Sequence, residues 1–419
     1  MRTVRFLWPH RPPLWGRHGA ASKIFLKKCL LTTAAGLAVS MPYATWAQAD
    51  NRPEFRIGAV NSVTGGASAI AVGAVAAINM LEARFANESS LPFKVRFIKY
   101  DDGSDPARAV NAVRKLAQED RAHVILCCTT TPSSLAVNKV VAQEAVPNIS
   151  LASAVAVIKP ASERRFTFKT PITDQLMIDY TLNDMVKKGY KKVAFMGLDD
   201  SYGEGGWVEF STLAKQKGIE VVATERFSRS DTNFTPQSLR VSQRKPDAVY
   251  FHAIPPSAAL AHEALKRVGY QGPIYHGGGA PTPSFLNVGK QALEGALVGT
   301  TALTIWQQLP DAHPLKGVIS AFVRDYEAQY GQGKADMFAA QAYDAVMIPV
   351  SVWAKVPESV RNGDLAQARV ALRDGIENTR DYHGVVGIFN FSADDHLGLD
   401  ARSTILVEVK NGRFTALNP

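Results

Sequence analysis

From residue 55 onward the chain alternates short apolar runs with longer stretches in which apolar residues recur every three or four positions. Phe55–Val60 reads as a strand, Gly73–Phe85 as a helix, Lys94–Tyr100 as a strand and Asp105–Glu119 as a helix. The last has an Asp cap, Pro106 in its first turn, and Ala109, Val110, Val113, Leu116 and Ala117 along one face, which is how an amphipathic helix is written. His123–Cys127 (strand), Ser133–Ala145 (helix) and Val146–Leu151 (strand) follow. Strands this apolar, separated by helices, belong to a parallel sheet covered on both faces.

The pattern then restarts. Thr173–Lys187 is a helix, Lys192–Leu198 a strand, Gly206–Lys217 a helix, Ile219–Ala223 a strand, Thr235–Gln243 a helix, Asp247–His252 a strand, Pro256–Val268 a helix and Pro273–His276 a strand. After a strand at Leu297–Thr301 come helices at Pro314–Tyr330, Met337–Trp353 and Leu365–Asn378, then strand-like Gly387–Phe391 and Thr404–Val409. The expected architecture is α/β: two doubly wound, Rossmann-like lobes with parallel sheets, joined by a hinge. We place residues 50–172 and 302–402 in an N-terminal lobe, and 173–301 and 403–419 in a C-terminal lobe.

Length and composition agree with two lobes. At 419 residues the chain is too long for one ordinary core, and 46% hydrophobic content with 20% charged residues excludes a disordered or collagen-like chain. The net charge of +9 points at face value to nucleic acid or an anionic surface. Its location removes that reading. Residues 1–49 hold seven Lys or Arg and no acidic residue, leaving 40 basic against 38 acidic residues in the remainder. Lys27-Lys28, the 13-residue apolar run Cys29–Met41, Pro42 and the small-x-small site Ala47-Gln48-Ala49 have the order of a cleaved secretory signal. Residues 1–49 are therefore read as a signal peptide, and no later stretch reads as long and apolar enough to span a bilayer. These features predict a soluble periplasmic protein with no nucleic-acid partner. Only Cys127 and Cys128 remain after cleavage, and they read as two thiols at the buried end of a strand, because adjacent cysteines bridge only through a strained ring.

Enzyme signatures are missing. The sequence contains no GxSxG elbow and no phosphate loop; Gly203-Glu204-Gly205-Gly206 fails the dinucleotide pattern at Val208, and His262-Glu263 lacks a second histidine four residues on. His252, His262 and His276 fall on different elements and read as isolated surface or strand-end residues. No catalytic residue, metal site or cofactor is expected.

Polar residues do collect at the carboxyl ends of predicted strands, where open parallel sheets bind ligands. Thr129-Thr130-Thr131-Pro132-Ser133-Ser134 opens a helix after the third strand, and hydroxyls beside free helix N–H groups suit a carboxylate; simple N-capping is the competing reading. Ala152, Ser153 and Ala154 follow the next strand and allow close backbone approach, or equally tight packing. Tyr202 stands in the glycine-rich turn after Lys192–Leu198. Such turns are exposed, so its ring reads as closing over an apolar ligand. Gly277-Gly278-Gly279 at another strand end permits backbone contact with a ligand or a turn with positive φ.

Three segments, Ile57–Gly66 (IGAVNSVTGG), Tyr100–Pro106 (YDDGSDP) and Asp199–Gly206 (DDSYGEGG), resemble in sequence and order the leucine/isoleucine/valine-binding proteins. These are periplasmic solute-binding proteins of ABC transporters with the type I fold. The resemblance implies a monomer that holds a small-molecule ligand between its lobes and presents it to a membrane permease. It implies that Thr129 or Thr130, with Ala152, Ser153 and Ala154, holds the ligand carboxylate, and that Tyr202 closes from the second lobe. The loop after Thr64-Gly65-Gly66 is shorter than is usual in that family, and the tyrosine often found there is replaced here by Ser68, Ala69 or Ile70, of which Ser68 joins the candidate set. Where amino-acid binders place a glutamate for the ligand ammonium, this chain has Gly277, Gly278 and Gly279, of which Gly278 and Gly279 are candidate contacts. The family's first-lobe disulfide would need a cysteine at Ser104. The implied ligand is a branched-chain amino acid or related apolar carboxylate, the alternative being an aromatic or keto acid without an ammonium group. The rival readings are a sensory ligand-binding component that hands its signal to a membrane receptor, and an exported α/β hydrolase, which would require a nucleophile with a general base that no motif supplies.

Overall fold

The computed structural model describes residues 50–417, so the predicted signal peptide lies outside the described residues. The first lobe runs β1 (Glu54–Asn61), α1 (Ser68–Ala86), β2 (Lys94–Asp101), α2 (Pro106–Gln118), β3 (Val124–Cys127), α3 (Thr131–Gln143), β4 (Asn148–Ser150) and β5 (Thr167–Lys169). Its five strands are all parallel, in the order β2-β1-β3-β4-β5. The second run is α4 (Asp174–Lys187), β6 (Lys192–Leu198), α5 (Ser201–Gln216), β7 (Glu220–Phe227), α6 (Thr235–Gln243), β8 (Ala248–His252), α7 (Ser257–Arg267), β9 (Ile274–His276), α8 (Pro283–Gly289) and β10 (Leu297–Thr300). Its parallel strands repeat the same order as β7-β6-β8-β9-β10.

In both sheets the strand order reverses beside the first strand, between β1 and β3 and between β6 and β8. At such a switch point the flanking connections leave to opposite faces and open a crevice at the carboxyl edge. The two lobes thus supply two crevices.

After β10 the chain returns to the first lobe through α9 (Lys316–Tyr330), α10 (Met337–Trp353), α11 (Glu358–Arg361) and α12 (Leu365–Glu377). The link is specific at Arg369 on α12. Its buried guanidinium donates to the carbonyls of Ala117 at 2.7 Å, Ala122 at 2.9 Å and Glu144 at 3.1 Å, where α2 and α3 end. A cation there completes helix-terminal carbonyls that have no intrahelical partner. A small hairpin of β11 (Tyr382–His383) and β12 (Ile388–Phe389) follows; β13 (Ile405–Lys410) and β14 (Arg413–Ala416) then extend the second sheet in antiparallel fashion beyond β10.

Two expectations need correction. The 19-residue α1 is long and apolar enough to cross a membrane, contrary to the sequence reading. Its apolarity has another cause: α1 packs against α10, and Ile70, Ala74, Ala77, Ile78, Leu81 and Phe85 enter the main core. A helix flanked on several sides by protein needs no polar face. The adjacent cysteines also differ from the expected free thiols: the structure joins Cys127 to Cys128 in a disulfide, both residues being fully buried with Cα atoms 3.0 Å apart. Ser104, the family's cysteine position, instead ties the loop before α1, donating to Thr64 O at 2.9 Å and accepting from Ala67 N–H at 3.1 Å.

Candidate ligand-binding site

The carboxyl edges of the two sheets face one cavity. From the first lobe it is lined by Ile70 of α1, Thr129–Thr131, Leu151–Ser153 after β4, Pro171, and Met337, Phe338 and Gln341 of α10; from the second by Met177 of α4, Tyr202, Arg229, Ile254, Gly278 and Gly279. Apolar side chains make up most of the wall. The space between these side chains is about 30 Å³, room for about two or three waters and too small for a ligand of amino-acid size in this arrangement of the lobes.

The hydroxyls of the Thr129–Ser134 segment divide their work. Thr130 is the N-cap of α3 and accepts from Ser133 N–H at 3.4 Å. Thr129 Oγ1 accepts from Ser62 N–H at 3.2 Å and donates to Asn61 Oδ1 at 3.3 Å, tying β3 to the end of β1. Thr131 Oγ1 is buried and has no protein partner among the described residues. Thr131 was not singled out from sequence, yet it is the threonine whose hydroxyl is uncommitted at the cavity. Ser153 and Ala152 line the wall as expected; Ala154 does not. It is buried behind the wall, where its Cβ lies 3.9 Å from the place a side chain on Gly205 would begin. Ser68 is also off the wall: it opens α1 with its N–H on Gly65 O at 3.2 Å, and the helix reaches the cavity through Ile70.

The second-lobe turn is helical rather than loop. Helix α5 begins at Ser201, five residues before the expected start, because Asp200 Oδ1 accepts from the N–H groups of Tyr202 at 2.9 Å and Gly203 at 3.2 Å. Tyr202 is accordingly buried, not exposed, and its ring stacks on His252 at 4.1 Å. Gly203 and Gly206 are required by packing: a side chain on the first would strike the Leu198 backbone and on the second the His252 ring. The Tyr202 hydroxyl has no protein acceptor, and burial holds its phenol well above the ordinary range, so it remains a donor.

The histidines are likewise interior. His252, His262 and His276 are fully buried, contrary to the surface reading, and His262 Nδ1 lies 2.8 Å from His276 Nε2 in a parallel stacked pair. Burial pushes His262 down to about 3. Among the described residues no group of three or more His, Cys, Asp or Glu could hold a metal ion.

Arg229 is a charged side chain at the cavity that the sequence does not single out. It follows β7, which extends to Phe227 rather than ending at Ala223, so Arg229 also stands at a strand's carboxyl end. Its Nε and Nη2 donate to Asp200 Oδ2 at 2.7 and 2.6 Å, and Nη1 is buried without a protein partner. A Cβ on Gly66 would sit 3.7 Å from Arg229 Cβ, so the arginine crosses from the second lobe to the loop before α1. Gln341 Oε1 is a further enclosed atom without a partner. Among the described residues no aspartate or glutamate lines the cavity. Two α/β lobes, each with its switch-point crevice, closing over one apolar cavity whose polar atoms await partners, form a binding cleft rather than a reaction centre. A family of periplasmic binding proteins matches residues 54–413.

The chain belongs to the periplasmic binding proteins.

The family is one of ligand binders, not enzymes, and the architecture is the type I fold of that family. An extracellular ligand-binding receptor of Rhodopseudomonas palustris HaA2 has 29% identity and a TM-score of 0.80, with 87% of this chain and 99% of that one covered. Another extracellular ligand-binding receptor from Rhodopseudomonas palustris has 30% identity, the same TM-score of 0.80, and coverage of 87% and 99%. A leucine-binding protein of Thermotoga maritima shares the fold at 23% identity and a TM-score of 0.72, covering 86% of this chain and 97% of its own. The Leu/Ile/Val-binding protein of Citrobacter freundii is 23% identical over 235 residues, 55% of this chain; the match spans 62% of that relative's length.

Proposed function

We propose that this binding protein captures a small apolar carboxylate lacking an ammonium group and delivers it, as a periplasmic monomer, to the permease of an ABC transporter. The hinge crossings lie near 172/173, 301/302 and 402/403. One observation carries the ligand class: among the described residues, the cavity wall presents one guanidinium, several hydroxyls and no carboxylate. The donors suit an oxyanion. An ammonium buried there without counter-charge costs several kcal/mol, about 3–5 by comparison with broken buried ion pairs.

The acids nearest in sequence do not replace the missing glutamate. Asp200 is spent on Arg229 and the start of α5, while Glu204 pairs with Arg226 at 2.7 Å on the surface. A branched-chain amino acid keeps one supporting observation. Asp174 is buried one turn before Met177, its oxygens make no hydrogen bond, and its nearest ion-pairing group is His252 Nε2 at 3.5 Å. Calorimetry with leucine and 4-methyl-2-oxopentanoate, which share a skeleton and differ at the ammonium, separates the two. Tighter binding of the oxo acid is the expected result. Tighter leucine binding, abolished by Asp174→Asn, would overturn the ligand class, and mass spectrometry of ligand retained on purification checks both.

A further inference from the structure

At the opposite edge of the first sheet, beside the amino ends of β1 and β3, the surface folds into a cleft of about 260 Å³. Three guanidinium groups line it, Arg56, Arg121 and Arg361, with His123 and the backbone at Gly363. Among the described residues Glu54 is the one acidic group in the wall, and its Oε2 is divided between Arg96 at 3.4 Å and Arg56 at 4.0 Å. Arg369 lies behind the cleft with its guanidinium committed to carbonyls.

The arginines are not neutralised by one another's surroundings. Arg56 Nε donates to the Arg121 carbonyl at 2.8 Å, which draws the two residues together and leaves Arg56 only the long, shared contact with Glu54 at 4.0 Å as an ion pair. Arg361 lies over the Phe93 ring, 5.8 Å from its centroid, and its Nε and Nη1 are enclosed without a partner among the described residues. His123 Nδ1 accepts from Arg56 N–H at 3.0 Å, which leaves its proton on Nε2. Burial first, and then Arg56, Arg369 and Arg121, push this histidine down to about 3, so it feels the same positive field. Like charges gathered in a concave wall focus potential, and guanidinium forks match carboxylate and phosphate geometry.

We propose that this cleft binds a small oxyanion bearing two or more negative charges, of the polycarboxylate or phosphate class, at a site separate from the interlobe cavity. Its size suits a small molecule. Affinity falls with ionic strength, as for any site of partly exposed charges.

Calorimetry with citrate and with inorganic phosphate as probes, at low and at physiological salt, tests this alongside the His123 ring signal by NMR. Saturable binding of at least one probe is expected, with His123 titrating at higher pH when the probe is bound; whichever binds tighter names the oxyanion. Arg121→Gln, on an exposed side chain, and Arg361→Gln each weaken it by about tenfold or more. Thr131→Val leaves it unchanged. Three results overturn the proposal: no saturable binding of either probe, binding retained in both arginine variants, or binding lost in Thr131→Val, which would place the anion between the lobes.

Discussion

Replacing Arg229 by glutamine probes the carboxylate assignment at its strongest group. The side chain is only 18% exposed, and two of its nitrogens hold Asp200 Oδ2 at 2.6–2.7 Å while Nη1 stays enclosed at the cavity wall. A hydrogen bond to a charged group contributes about 1.5–3 kcal/mol. Loss of one such bond to the ligand therefore weakens binding roughly 10- to 150-fold. The single variant does more than delete a donor, because it also leaves Asp200 without its cation beside the cavity. Asp200 Oδ1 still caps α5, so the fold around Tyr202 survives, but its free oxygen now repels an anionic ligand. Arg229→Gln with Asp200→Asn removes that repulsion and recovers part of the loss. Calorimetry with 4-methyl-2-oxopentanoate, or with whatever carboxylate is retained on purification, gives the affinities; thermal melts of the ligand-free proteins control for folding. Arg229→Gln binding within about threefold of wild type, ~0.7 kcal/mol, would refute the role given to the guanidinium.

Thr131→Val and Thr129→Val separate a ligand contact from a structural one. The first lowers carboxylate affinity with little change in melting temperature, while the second costs about 1–3 kcal/mol of stability in urea melts by stranding Ser62 N–H and Asn61; the reverse pattern would return the ligand to Thr129. The histidine pair sets an acid limit. His262 falls from 6.5 when unfolded to about 3 when folded, so between these values the unfolded chain holds the extra proton, and stability present above pH 6.5 is lost as pH falls, by up to about 1.4 kcal/mol per unit. Urea melts between pH 7 and 5 should show a shallower slope for His262→Gln than for wild type, and equal slopes would exclude this histidine as the source.

Periodicity carried the two lobes because their central strands, such as β3, β6 and β8, are almost wholly buried and helices such as α2 and α12 bury one face, which are the conditions under which apolar spacing is informative. It failed where another force decides. Strand β5 is three residues long and ends in Lys169, a buried cation that donates to the carbonyls of Ser153 and Ala154, so no hydrophobic run marks it. The terminal hairpin is marked in the chain by Asn411-Gly412 between β13 and β14, which takes φ of 52° and 69°, the left-handed pair that a two-residue hairpin requires. In the cleft, the segments at strand ends were legible but the duties of individual hydroxyls were not. Thr129, Thr130 and Thr131 are chemically alike, and only their neighbours across β1 and α3 determine which one is left uncommitted. Arg229 was hidden by a strand end placed four residues early, and Met337, Phe338 and Gln341 by a helix more than 150 residues away in sequence from the other first-lobe contacts.

The glycines at the end of β9 connect the charge of the cleft to its packing. A side chain beginning at Gly278 would run into the Met177 thioether, and one at Gly279 would meet Ala253 O at 2.8 Å, Ile254 Cγ2 at 2.8 Å and the Tyr202 hydroxyl at 3.0 Å. The space where a carboxylate-bearing side chain would emerge is thus already taken by a thioether, a backbone carbonyl, a branched methyl and a phenol. None of these groups carries the negative charge that would pair with an ammonium. Restoring an acid at that strand end would require Met177 and Tyr202 to move as well, against a core in which Tyr202 is stacked on a buried histidine. On the proposed ligand class, the packing around Gly278 and Gly279 would disfavour an acid at that strand end, while Arg229 and Thr131 on the facing walls would supply the donors a carboxylate needs.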